Sequence, residues 1–156
     1  MDKTSYSAHR IAGLLCAGLM AAFGSQQAPA AEIHVKMMDM SDSGQLAFEP
    51  GFVKAQAGDT IVFEPTQKGG HSSYSLLVPP GAKAWSGAAD KETRVRLDAE
   101  GVYLYACTAH KRMGMVGVIQ VGQPVNLEQA KKAAASESSG FVFNKDRFDK
   151  ELAQIR

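Results

Sequence analysis

Residues 102–121, VYLYACTAHKRMGMVGVIQV, read as two strands joined by a tight loop. The flanking runs VYLYAC (102–107) and MVGVIQV (115–121) are rich in Val, Ile and Tyr, which suit a pleated, buried surface. Working outward, the same texture recurs in EIHVKMM (32–38), FVKAQ (52–56), DTIVFEP (59–65), SSYSLL (72–77) and TRVRL (93–97). The turn clusters SDSG, AGD, KGG, PPGAK and AEG separate these runs. Seven or so short strands at this spacing predict an all-β fold, a Greek-key antiparallel β-sandwich. No helical pattern long enough for a crossover separates the strands, which argues against parallel pairing. Glu100-Gly101-Val102-Tyr103 reads as a corner where the Tyr hydroxyl ties a turn to the next strand.

After Gly122 the composition shifts to good helix formers. Asn126 reads as the N-cap of LEQAKKAAA (127–135), which SESSG (136–140) breaks. Asn144 reads as the cap of a second helix, KDRFDKELAQIR, in which Phe148, Leu152 and Ile155 fall at i, i+4 and i+7. Such a stripe should pack on the sandwich. At the other end, Lys3 and Arg10 precede the apolar run IAGLLCAGLMAAFG (11–24), followed by Ala28-Pro29-Ala30. This is the layout of a secretory signal peptide, residues 1–30, with cleavage after Ala30; the run is short for a membrane span. An uncleaved anchor is the alternative. Leu15 is too bulky for Cys16 to be a lipoprotein site, so Cys16 is apolar filling. The remaining chain, 31–156, is the length of one domain, with 123–156 as its helical C-terminal extension. Cleavage would remove Lys3, Arg10 and Asp2 from 17 basic and 16 acidic residues, leaving 15 of each. That balance gives no general argument for nucleic acid or a membrane surface as partner.

Cys107 then has no cysteine to pair with in an oxidising compartment. A buried structural thiol, an intermolecular bridge and a metal ligand compete. The neighbours favour the metal: His110 follows three residues later, and Met113 and Met115 follow His110. Thiolate and imidazole suit a soft or borderline transition metal, and a thioether is a usual weak axial ligand for copper in sites of two His, one Cys and one Met. The second imidazole must come from elsewhere. His71 follows the turn Lys68-Gly69-Gly70 at the start of a strand and is the better candidate, whereas His34 reads as a half-exposed strand residue. Met37, Met38 and Met40 read as packing.

The pattern G-H…Y-x-Y-x-C-T-x-H-x4-M resembles the type 1 blue copper proteins of the cupredoxin family, and within it the pseudoazurin group most closely. The likeness runs through nearly all of residues 31–156, including AFEPGFVKAQAGDTIVF, KGGH, PPGA, CTAHKRMGMVGVIQVG and the two-helix tail. It implies one copper ion, with His71, Cys107 and His110 in a trigonal plane and Met115 axial. Met113 would match the shorter amicyanin spacing, while Met115 matches pseudoazurin and plastocyanin. Two positions depart from the family: Ser72 stands where Asn is usual, and Ala109 where Pro is usual. Both put the bracing and stiffness of the ligand loops in doubt.

The resemblance implies a periplasmic, monomeric electron carrier and no enzyme, for Cys107 is flanked by Ala106 and Thr108 rather than by a His that would wire it to a second centre. A copper carrier without redox duty is the rival, and a zinc-bound structural domain is weaker because the Met would be idle. Implied partners are redox proteins: copper nitrite reductase or another periplasmic acceptor, and a cytochrome-type donor. Lys68, Lys111 and Arg112 are expected to form a basic rim around an apolar patch of Ala109, Met113, Leu46 and Pro80.

Overall fold

The computed structural model describes Met1 and residues 29–156, so the signal-peptide reading of residues 1–30 lies almost wholly outside the described residues. Eight strands build the sandwich: β1 (Glu32–Ser41), β2 (Gly44–Glu49), β3 (Phe52–Ala55), β4 (Thr60–Pro65), β5 (Tyr74–Leu77), β6 (Thr93–Arg96), β7 (Gly101–Ala106) and β8 (Val116–Val121). They form two four-stranded sheets, ordered β2-β1-β4-β6 and β3-β8-β7-β5. Two helices follow, α1 (Leu127–Ser138) and α2 (Arg147–Leu152). Among the described residues no helix is long and apolar enough to cross a membrane.

Both sheets are mixed, contrary to the expectation of antiparallel pairing alone. β1 runs parallel to β4, with Glu32 opposite Thr60 and Met37 opposite Pro65, and β3 runs parallel to β8. A parallel pair needs a long connection, but a helix is only one way to make it. Here β2 and β3 form the connection from β1 to β4, and β3 lies in the other sheet. β2 itself had no clear strand pattern, because Gly44 and Leu46 both have positive φ, 110° and 48°. It pairs with β1 through a tight hairpin with Ser41 opposite Gly44, the turn expected at SDSG.

β7 and β8 are buried along their whole lengths, which decides where every side chain of the opening stretch goes. Tyr103, Tyr105 and Cys107 face the core between the sheets, with Phe48, Phe63 and Ile119. Val102, Leu104 and Ala106 face outward, beneath Ala130, Ala134, Phe141 and Phe148 of the C-terminal extension. Side chains alternate along a strand, so the two tyrosines commit the thiol to the inner face. The helical tail therefore covers an apolar sheet face that would otherwise meet water. Phe148 is fully buried, and Leu152 and Ile155 pack behind it.

The corner at the start of β7 forms as read: the Tyr103 hydroxyl donates to Ala99 O at 2.7 Å and accepts the Ala99 N–H at 3.3 Å. The expected caps do not. Asn126 makes no side-chain cap on α1. Its amide instead accepts the Val102 N–H at 2.7 Å and donates to Val102 O at 2.9 Å, satisfying a buried peptide at the strand end. α1 also runs through Ser136 to Ser138 rather than stopping at 135, and α2 is a short helix preceded by Asn144 at φ 46°. Asn126→Ala should therefore cost about 1–3 kcal/mol, the range for stranding buried peptide groups, rather than a cap's worth of helix content. Urea unfolding with helix content followed separately measures it; an unchanged midpoint would contradict this role.

Candidate metal centre

The loop between β7 and β8 is closed by its own backbone. Cys107 N–H donates to Met115 O at 3.0 Å, extending the ladder by one bond beyond the strands. Met113 and Met115 N–H both donate to His110 O, at 2.9 and 3.2 Å, and Lys111–Met113 forms one turn of 3-10 helix. Gly114 ends that turn at φ 71°, and a Cβ there would lie 2.8 Å from Asn144 and the Phe143 carbonyl. Only glycine fits both demands. The turn brings the His110 ring back over the thiol, with Nδ1 3.5 Å from Cys107 Sγ.

His71 arrives from the loop before β5. The Asp90 carboxylate pins that loop, accepting the N–H of Gly70 at 3.0 Å and of His71 at 3.1 Å. His71 is fully buried, with its Nε2 3.0 Å from Asp39 Oδ1. Gly69 lets the carboxylate approach, for a Cβ there would stand 2.5 Å from Asp39 Oδ1. Donation from Nε2–H to Asp39 leaves Nδ1 as the lone-pair nitrogen, and that buried atom has no hydrogen-bond partner. An unpartnered buried nitrogen is costly unless something outside the protein's own atoms satisfies it.

The candidate ligand atoms of His71, Cys107 and His110 all lie within 4.8 Å of one another. The two imidazole centroids are 5.0 Å apart with planes at 59°. Met115 is fully buried in the same core cluster as Cys107, whereas Met113 is half-buried. His34 lies apart, half-exposed and 2.7 Å from Glu64. Burial first, and the nearby His71 second, lower the pKa of His110, with Asp39 opposing; the ring is thus held in the neutral form that can donate a lone pair to a metal.

Neither Asp39 nor Asp90 was singled out in the sequence. Each lies far along the chain from the residue it holds, and nothing local marks it. The doubt over Ser72 is answered by its contacts. Ser72 is 2% exposed, and its hydroxyl donates to Thr108 Oγ1 at 2.9 Å and accepts the Thr108 N–H at 3.3 Å, joining the loops that carry His71 and Cys107. Ala109 is exposed.

The surroundings of His110 differ from the expected rim. Lys111 Nζ pairs with Glu137 Oε2 of α1 at 2.8 Å, which raises the lysine pKa and ties its charge to the helix. Arg112 and Lys68 remain exposed. Leu46 stands near the loop, since its carbonyl and that of Gly114 accept the same guanidinium, that of Arg147. Pro80 does not: it lies with Pro124–Gln129, beside the corner where β7 begins, at the end of the strand away from Cys107. The apolar patch therefore lacks Pro80.

The sequence pattern of the copper binding proteins of the plastocyanin/azurin family matches residues 35–122. The pseudoazurin of Paracoccus pantotrophus is 34% identical over 150 residues, covering 94% of this chain and 98% of that relative. The pseudoazurin of Methylorubrum extorquens is 34% identical over 92% of this chain and 96% of its own. The crystal structure of native pseudoazurin from Hyphomicrobium denitrificans superposes with a TM-score of 0.71 and 37% identity, covering 80% of this chain and 98% of that one. The Ser72 brace can be tested without metal. Ser72→Ala should lower the stability of the metal-free protein by about 1 kcal/mol, the net worth of such a bond. Equal denaturant midpoints for the two proteins would show that Thr108 needs no tie.

Proposed function

The chain belongs to the copper binding proteins of the plastocyanin/azurin family, and on that premise we propose that it is a type 1 blue copper electron-transfer protein of the pseudoazurin kind. Its cofactor is one copper ion, and the residues present fit that metal. In this reading His71 Nδ1, Cys107 Sγ and His110 Nδ1 would hold the copper, with the Met115 thioether as the fourth ligand. What carries the assignment is the convergence of those three groups within 4.8 Å, including a buried imidazole nitrogen with no protein partner.

Bound copper supplies a one-electron couple. Everything else is done by the chain. Asp39 selects the His71 tautomer, Ser72 locks the His71 loop to the Cys107 loop, and the Cys107–Met115 backbone bond keeps the loop from opening. Donors fixed before the metal arrives favour one arrangement in both oxidation states, which keeps the reorganisation on electron transfer small. His71, Cys107 and Met115 are sealed from water, and only His110 is partly exposed. His110 would thus be the ligand whose ring connects the centre to the surface. The burial of His71, Cys107 and Met115 would leave a substrate little access to the metal, so we read the protein as a carrier, not an enzyme. The sealing also disfavours an exchangeable copper carrier, and a thioether ligand from Met115 would disfavour zinc.

Export by residues 1–30 would place residues 31–156 in the periplasm as the working carrier. The partner in this reading is a redox protein with an acidic face, copper nitrite reductase being one candidate acceptor and a cytochrome-type protein a donor. Arg112 and Lys68 supply the free positive charge, with Met113, Ala109 and Leu46 as the apolar centre.

Copper-loaded, oxidised protein should be intensely coloured and bleach on reduction. Cys107→Ser should abolish the colour, and Met115→Gln should lower the reduction potential while the same change at Met113 leaves it in place. A colourless Cu(II) form of the native chain, or a potential that follows Met113, would contradict the ligand set. For docking, electron transfer to copper nitrite reductase should slow as salt shortens the Debye length to about 8–10 Å. Arg112→Glu should slow it several-fold at low salt without altering the spectrum. Rates indifferent to salt and to Arg112 would place the docking face elsewhere.

A further inference from the structure

The carbonyls of Arg112, Met113 and Gly114, the three residues before Met115, are all held by the C-terminal extension. Val142 N–H donates to Arg112 O at 2.7 Å, Asn144 Nδ2 to Met113 O at 2.9 Å, and Arg147 Nη1 to Gly114 O at 2.8 Å. Arg147 also donates to Leu46 O at 2.6 Å and Gln45 O at 3.1 Å, so the same guanidinium anchors the loop to β2.

These are unusual uses for the groups concerned. Arg147 is 6% exposed, and its hydrogen bonds run to main-chain carbonyls rather than to a carboxylate. A buried guanidinium without a bonded counter-ion is expensive, and the same packing could be had from an apolar side chain at far lower cost. Asn144 is likewise bent away from capping α2: it sits at φ 46° and gives its amide to Met113 O. The contact is close as well as polar, since Gly114 leaves no room for a Cβ against Phe143 and Asn144. Covering the outer face of β7 and β8 needs only Phe141, Phe148 and the alanines of α1, none of which makes these bonds.

We propose that segment 142–147 is a positioning clamp for the Met115 thioether: by holding three consecutive loop carbonyls it fixes where that side chain stands relative to Cys107 and the two histidines. The proposal rests on the blue copper reading for its metal-dependent consequence, while the clamp itself is a property of the metal-free chain. Asn144 and Arg147 act through Met115 and touch no donor atom.

Asn144→Ala and Arg147→Lys test it, with Phe148→Leu as a tail variant that loosens packing but keeps all three bonds. In metal-free protein, amide exchange at Met113–Met115 should quicken several-fold in the two clamp variants and stay unchanged at these amides in Phe148→Leu. With Cu(II) bound, the balance of the thiolate charge-transfer bands and the reduction potential should move in the clamp variants alone. Should Arg147→Lys fail to fold, Asn144→Ala, whose residue is only half-buried, still decides. Exchange, bands and potential all matching wild type would overturn the clamp. A wild type without thiolate bands would overturn the blue copper reading instead, leaving the exchange result to judge the clamp.

Discussion

The hydrogen bond from Cys107 N–H to Met115 O, 3.0 Å long, is the constraint on which the centre depends. It is the last bond of the β7–β8 ladder, and it joins the backbones of the thiol and the thioether. Everything between the two residues must close within one short loop, so His110 has to fold back over Cys107 Sγ. Strand alternation does the rest: Tyr103 and Tyr105 fill the core between the sheets, and Cys107, two residues further on, points the same way. A metal site at the mouth of the sandwich follows from sheet geometry before any metal is considered.

Around that bond the structure spends polar groups on rigidity. Asp90 holds the loop of His71 by its N–H groups, Asp39 holds its ring, and Ser72 ties it to Thr108. Val142, Asn144 and Arg147 hold the opposite side of the loop between β7 and β8. Long-range contacts brace both sides of the centre, from residues about 20 to 36 positions away along the chain. The cost is a buried imidazole nitrogen with no protein partner, which a metal would satisfy. A site built in this way is suited to holding one geometry through a change of charge.

The strands were legible where alternation or aromatic texture marked them, as in 102–107 and 59–65. β2 was not, because Gly44 and Leu46 at positive φ interrupt the pattern. The parallel pairs were missed because strands, not helices, make the crossovers, β2 and β3 between β1 and β4, and β4 to β7 between β3 and β8. His71, Cys107 and His110 could be chosen from spacing and the likeness to blue copper proteins, and the fold brings the three together. Their supports were invisible for a physical reason: Asn126 and Asn144 look like caps locally, yet tertiary carbonyls compete for the same amides and win. Lys111 looked like free surface charge because its partner, Glu137, comes from a helix whose packing the sequence does not display.

The most direct measurement is X-ray absorption at the copper edge of the loaded protein in both oxidation states. The expected result is the same donor set in each state, two imidazole nitrogens and one thiolate sulfur at nearly unchanged distances, with a weaker thioether. A gained water, a lost imidazole or a thiolate absent from the oxidised form would contradict a preformed electron-transfer centre.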